Sequence, residues 1–180
     1  MEVVSTNIGE RKKLIYKKRP VETGIFKYPV PSVNLGITDV INDNVVDRKY
    51  HGGEKKACYL YSADHYAYWK KKYPHLPWNW GFFGENITVS GLDETQLQIG
   101  NQYAIGDAII EITTPREPCF KLGLRFNTQK IIRDFIAVHF CGSYAKVIKE
   151  GEVKKGDVMK LIFKRDSLTI AEKFKEIYRK

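Results

Sequence analysis

No apolar run in the chain approaches the roughly 20 residues that a helix needs to cross a bilayer, so membrane insertion is not expected. The first residues, Met1-Glu2-Val3-Val4-Ser5, show neither the basic start nor the apolar stretch of a secretory signal. Cysteine is scarce. Three residues, odd in number and widely spaced, make no disulfide framework. Together these absences predict a soluble, cytoplasmic protein in a reducing compartment. There is no glycine-rich dinucleotide fingerprint and no four-cysteine iron–sulfur set. The four histidines (His51, His65, His75 and His139) lack paired ligand spacing, and no internal repeat or low-complexity stretch is visible.

What is present is one domain's worth of chain: 180 residues, enough for a real core. Lys and Arg exceed Asp and Glu by 30 to 21, a net charge of +9 that suggests an anionic partner. Nucleic acid, an anionic membrane surface or a phosphorylated small molecule would each satisfy it. The basic runs Arg11-Lys12-Lys13, Lys17-Lys18-Arg19 and Lys70-Lys71-Lys72 read as solvated faces. Short apolar or β-branched segments at Leu14–Tyr16, Gly24–Phe26, Ala57–Tyr61 and Ile87–Val89 read as strands. Gly106-Asp107 suits a tight turn joining Gln102–Ile105 to Ala108–Thr113. A second hairpin is expected between Tyr144–Ile148 and Val158–Phe163. Ser62 can cap a helix to about Tyr73, Thr128 one to Val138, and Thr169-Ile170-Ala171-Glu172 fits a capping box. Many short strands with glycine turns predict a mainly β fold with a few helices, a closed or partly closed β-barrel whose loops gather at one mouth. The expected layout is a barrel over residues 1–165 and a short C-terminal helix over 166–180.

Four segments carry chemistry. In Thr113–Leu122, Cys119 follows Pro118, with Arg116 and Lys121 close in sequence; such surroundings favour a thiolate, although a buried structural cysteine fits equally well. Asp47–Lys56 crowds Arg48, Lys49, His51, Lys55 and Lys56 around Gly52-Gly53, an arrangement suited to an anion or to a charged hairpin tip. Trp80–Thr88 flanks two phenylalanines with glycines, either to meet a flat ligand or to plug a barrel end. In Lys17–Val30, Lys27 lies in a β-like run and could point along the barrel toward an anion.

In this order and at these separations, RPVETGIFKYPV, DRKYHGGEKKACYLY, FGENITVSGLDE, IGDAIIEITTPREPCFKL and GSYAKVIKEGEVKKGDVMKL resemble the MOSC family. That domain also occurs at the C-terminus of molybdenum-cofactor sulfurases. The likeness runs from about Lys17 to Phe163 and is closer to the stand-alone bacterial YiiM-like members. It implies a barrel that binds a molybdenum cofactor, molybdopterin, with Cys119 as metal ligand and catalytic residue. Lys27, Arg48, His51, Gly52, Gly53, Asn86 and Arg116 would surround the cofactor. It implies reduction of small N-hydroxylated compounds, such as hydroxylamino bases and amidoximes, to amines. A non-catalytic cofactor carrier or sulfur-transfer module would need the same cysteine. Without a dinucleotide or iron–sulfur site, electrons would come from a separate donor protein. YiiM-like proteins continue into a small helical domain, of which 166–180 looks like a remnant. An oligomer is compatible with all of this. A nucleic-acid-binding barrel, motivated by charge and aromatic content, is the reading these motifs favour least.

Overall fold

The computed structural model of the protein describes residues 1–46 and 52–179. The chain opens on a long antiparallel hairpin, β1 (Glu2–Tyr16) and β2 (Arg19–Val30), in register from Thr6↔Val30 to Tyr16↔Arg19 with a bulge at Glu10/Lys12. Its two-residue loop, Lys17-Lys18, has both residues at positive φ (49° and 62°). That conformation costs an L-residue about 1–2 kcal/mol, so glycine or asparagine would ordinarily sit there. β3 (Ser32–Leu35) leaves this hairpin and pairs with β9 (Gly151–Lys154) in a small second sheet.

β4 (Cys58–Ser62) and β5 (Ile87–Ser90) run parallel, joined by a crossover that contains helix α1 (Tyr66–Lys72). All five β4 residues are buried, as expected of a strand covered on both faces. β6 (Gln102–Ile105) and β7 (Ala108–Pro115) form the hairpin expected around Gly106-Asp107. Along β7, Ala108, Ile110 and Ile112 point inward with the period of two that a strand imposes. α2 (Phe120–Arg125) and α3 (Lys130–Val138) follow, then β8 (Ser143–Lys149), β10 (Lys160–Phe163) and α4 (Ile170–Tyr178).

The main sheet has eight strands in the order β10-β6-β7-β8-β4-β5-β1-β2. It is a mixed sheet that curls without closing, with β10 and β2 as its two edges: of the closed or partly closed barrel expected from the sequence, the closed form is not made. The curl has a visible cause. Val3 N donates to Asp157 O (2.9 Å), Gly156 N to Val3 O (2.8 Å) and Met159 N to Met1 O (2.9 Å). These bonds draw the start of β1 to the chain just ahead of β10.

Two other expectations give way. Tyr144–Ile148 does not pair with Val158–Phe163. β8 lies between β7 and β4, with Ala145 opposite both Ile112 and Cys58, so it has no edge left for β10, which joins β6 instead. Ser62 makes no capping bond; its hydroxyl is buried without a partner among the described residues, and α1 starts as a 3₁₀ turn over Ala63–His65. The capping box at Thr169 and Glu172 is present as expected. The core is aromatic: Trp69, Phe83, Phe126 and Phe135 cluster with Tyr61, whose ring stacks on Phe83 at 4.2 Å. No helix among the described residues is long and apolar enough to cross a membrane.

Candidate functional site

A cleft open to solvent lies where several strand ends meet. β2 supplies one wall. Its inward face, read at a period of two, carries Thr23, Ile25 and Lys27, all buried. The loop after β7 brings Arg116 and Cys119, and the first turn of α2 brings Lys121, to line the same space. Tyr59 and Tyr144, directly opposed in the β4–β8 register, and Asn86, at the entrance to β5, complete it.

Lys27 reaches the cleft but is already engaged. Its ammonium is ion-paired with Asp43, and the two side chains are only 7% and 1% exposed. Asp43 also accepts from Gly9 N (2.8 Å) and from Asn86 Nδ2 (2.9 Å). Burial pushes the Asp43 carboxyl up, but Lys27 together with these donors outweighs it, and the group titrates below its ordinary value. Asn86 closes the corner: its Oδ1 accepts from Tyr59 N (3.2 Å). Thus Lys27, Asp43 and Asn86 form one buried polar clamp tying β1, β2 and the strand entrances together.

Arg116 is only 4% exposed. Its guanidinium sits 5.2 Å from the Tyr59 ring centre and 6.0 Å from that of Phe135, within cation–π range. Its Nη1 is buried and has no hydrogen-bond partner among the described residues. A buried guanidinium nitrogen left in that condition costs stability unless a ligand meets it. Burial works against its charge, but Tyr59, Tyr144 and Cys119 nearby hold its proton affinity above the ordinary arginine value. Burial also raises both tyrosines, with Arg116 opposing, so each is a neutral phenol at physiological pH. Tyr59 donates its hydroxyl proton to Cys141 O at 2.8 Å.

Cys119 occupies the N-cap position of α2 in an extended conformation and is partly exposed, whereas Cys58 and Cys141 are fully buried. Beside it, Phe120 stacks on Tyr16 of the hairpin at 4.9 Å.

Of the residues singled out in the sequence, the structure therefore brings Lys27, Asn86, Arg116 and Cys119 to one cleft. Gly52 and Gly53 do not line it. Gly53, at φ 86°, opens the 3₁₀ turn Glu54–Lys56, whose last residue does line it. Arg48 and His51 lie outside the described residues. Within Trp80–Thr88 the two phenylalanines turn inward, while Gly84 and Asn86 line the cleft. Phe82 and Phe83 are fully buried, a placement worth roughly 1.5–3 kcal/mol per ring. Glu85 accepts from Gly81 N (2.9 Å), Phe83 N (3.1 Å) and Thr88 Oγ1 (2.9 Å). Sequence reasoning missed Asp43, Tyr59 and Tyr144 as cleft residues. The tyrosines meet only once β4 is known to pair with β8. Among the described residues no three His, Cys, Asp or Glu side chains converge as a metal cluster.

Comparison with known proteins places these features in company. A model of the MOSC domain matches residues 47–160. YflK of Bacillus subtilis (strain 168), an uncharacterized protein, is 34% identical over 161 residues, which span 89% of this chain and 72% of that protein. A Gibberella moniliformis (strain M3125 / FGSC 7600) protein named simply a reductase is 34% identical over 115 residues, 62% of this chain but 20% of its own length. The crystal structure of YiiM from Geobacillus stearothermophilus superposes with a TM-score of 0.81 at 30% identity, covering 98% of this chain and 83% of that one.

Proposed function

Since this chain belongs to the MOSC domain family, we propose that its cleft receives a molybdenum cofactor and that the loaded protein reduces N-hydroxylated compounds to amines. One observation carries the reading: a partly exposed thiol, Cys119, shares a cleft wall with a buried guanidinium, Arg116, whose Nη1 has no partner among the described residues.

The residues present suit such a group. The pterin phosphate is an anion, and Arg116 offers it a charged donor in a low-dielectric wall. Lys56 and Lys121 add positive charge along the same cleft. Lys27, held by Asp43, acts by fixing the wall more than by meeting the phosphate directly. A thiolate at Cys119 is the soft ligand that molybdenum bound by dithiolene sulfur accepts. Arg48 and His51 keep the cofactor-binding roles that the family resemblance implies for them, while Gly52 and Gly53, which do not line the cleft, would act by shaping the turn that brings Lys56 to it.

When bound, the cofactor supplies the two-electron redox chemistry. The chain's own residues orient and enclose. Arg116 would hold the phosphate. Cys119, partly exposed in the cleft wall, would hold the metal. Tyr59 and Tyr144, neutral at working pH, add no negative charge opposite the phosphate. The Lys27–Asp43–Asn86 clamp keeps β2 from yielding when the cleft fills. Overall, the substrate N–O bond is broken with two electrons and two protons, leaving an amine and water. The sequence shows no dinucleotide fingerprint or iron–sulfur set, and a separate donor protein is the electron source this reading proposes.

The test is metal and pterin analysis of protein made in a cofactor-synthesising host, followed by turnover of a hydroxylaminopurine with a chemical reductant. Near-stoichiometric molybdenum, lost in Cys119→Ala while the fold persists, is the expected result. Absence of metal from the parent protein would sink the cofactor assignment. Full loading with no turnover would make the protein a carrier or sulfur-transfer module.

A further inference from the structure

We infer that the β10 edge of the sheet rests on the surface of an anionic lipid bilayer, with its apolar side chains dipping below the headgroups. All four residues of β10, Lys160–Phe163, are exposed, although three of them are large and apolar. Leu161, Ile162 and Phe163 are 48%, 51% and 52% exposed. A regular strand would turn alternate side chains to opposite faces, and the inward set would be covered. β10 is not regular. Leu161 lies opposite Tyr103 and Phe163 opposite Gln102, so Ile162 is an extra residue in a bulge. The bulge interrupts the alternation and leaves three consecutive apolar residues in solvent along an outer strand of the sheet.

Their surroundings are cationic. Lys160 precedes the apolar run, and Lys164 and Arg165 follow it. All three are exposed and form no ion pair among the described residues. Residues 154–166 hold five cations and two carboxylates. Asp157 accepts from Lys154 N at 2.8 Å. Asp166, and Glu2 where it bridges Val158, are the exposed acids beside the run.

Charge and shape together select the occupant. A second copy of the chain fits poorly. The edge is short, bulged and carries Lys160, which are features that discourage strand addition. Antiparallel self-pairing centred on Ile162, the middle of the apolar run, would set Lys160 against Lys164 of the other copy. Three half-exposed side chains offer on the order of a few hundred Å², against roughly 800 Å² per partner in a stable protein interface. An anionic bilayer answers both features of the edge. Its acyl boundary takes the apolar tips, and its phosphates take the flanking cations, each of which strengthens adsorption about fivefold.

Co-sedimentation with vesicles tests this, comparing phosphatidylcholine mixed with phosphatidylglycerol against phosphatidylcholine alone. The parent protein should bind the mixed vesicles about tenfold more tightly, or better, than the neutral ones. Affinity for the mixed vesicles should fall by about tenfold or more in Ile162→Ser with Phe163→Ser, and likewise in Lys160→Glu with Lys164→Glu. The second pair changes only exposed charge, so it reports even where the first loosens the sheet. Phe163→Trp should be quenched by brominated lipid more strongly than the parent's own tryptophans. No binding by the parent, affinity unchanged in either double variant, or no added quenching in Phe163→Trp overturns the inference. A dimer in sedimentation equilibrium that Ile162→Ser with Phe163→Ser returns to monomer would also overturn it, giving the edge to a second copy. So would tighter binding of a single-stranded oligonucleotide that Lys160→Glu with Lys164→Glu abolishes.

Discussion

Cys58 and Cys141 are fully buried; burial pushes the Cys58 thiol up to about 12 and the Cys141 thiol well above its ordinary value. Thiolate is the reactive form, so neither should react in the native state. A disulfide reagent at mild alkaline pH should therefore label Cys119 alone, and all three cysteines should react in denaturant; native labelling that persists in Cys119→Ser would contradict this assignment. Arg116 makes a different demand. Because its Nη1 lacks a partner among the described residues and its ring contacts are cation–π, replacing it by methionine removes a partly satisfied buried charge rather than breaking an ion pair. Urea unfolding of cofactor-free Arg116→Met should lie within about 1 kcal/mol of the parent, or above it, while cofactor retention falls. A loss near 3 kcal/mol would make Arg116 a structural tie instead. At this scale the sequence disclosed what is local. The stiff, cationic neighbourhood of Cys119 is written in Pro115–Lys121, and Lys27 stood out by its place in a β-like run. Its neutralisation by Asp43 was invisible, since the two residues meet only after β3 turns the chain back.

Thr169 caps α4 by accepting from Glu172 N at 3.2 Å, while Glu172 accepts from Thr169 N at 2.8 Å. The helix docks through Ile170, Ala171 and Phe174, and the Phe174 ring lies 6.3 Å from Phe135. Thr169→Ala should cost about 1 kcal/mol. Most of that should appear as faster amide exchange within Ile170–Tyr178, with the sheet little affected; an equal effect on β7 and β8 would show that α4 and the sheet open as one unit. Elements whose signals are local were legible in this way. The capping box and the Gly106-Asp107 hairpin each follow from a few neighbouring residues. Pairing across the chain was not. Tyr144–Ile148 and Val158–Phe163 look like hairpin arms because they are close in sequence and both apolar. Nothing in either segment records that β4 and β7 already occupy both edges of β8.

For the molecule as a whole, the family motifs were readable because each is a short contiguous segment, whereas the open order of the sheet depends on which distant edges meet. The curled sheet is pinned near its β2 edge by Asp43, which joins Gly9 of β1, Lys27 of β2 and Asn86 at the start of β5. This clamp gives acid stability a definite sign. Asp43 titrates below its ordinary value, and so does Asp134, where burial is outweighed by Tyr73 and Lys72. Carboxyls of the unfolded chain begin to take up protons near about pH 4, where both native groups are still ionised. The unfolded state then binds more protons, so stability rises with pH through this window. The contribution is complete above about pH 5 and is lost as pH falls through 4 toward the lower native values. Asp43→Asn should flatten that slope and also strand the Lys27 ammonium, at a cost of about 3–5 kcal/mol at neutral pH. Pairing it with Lys27→Met removes the stranded charge and should recover much of that loss without restoring the acid dependence. Chemical denaturation between pH 3 and 7 checks both parts. A double variant that keeps the parent's full acid slope would transfer the sensitivity to other carboxylates and leave the clamp a purely geometric role.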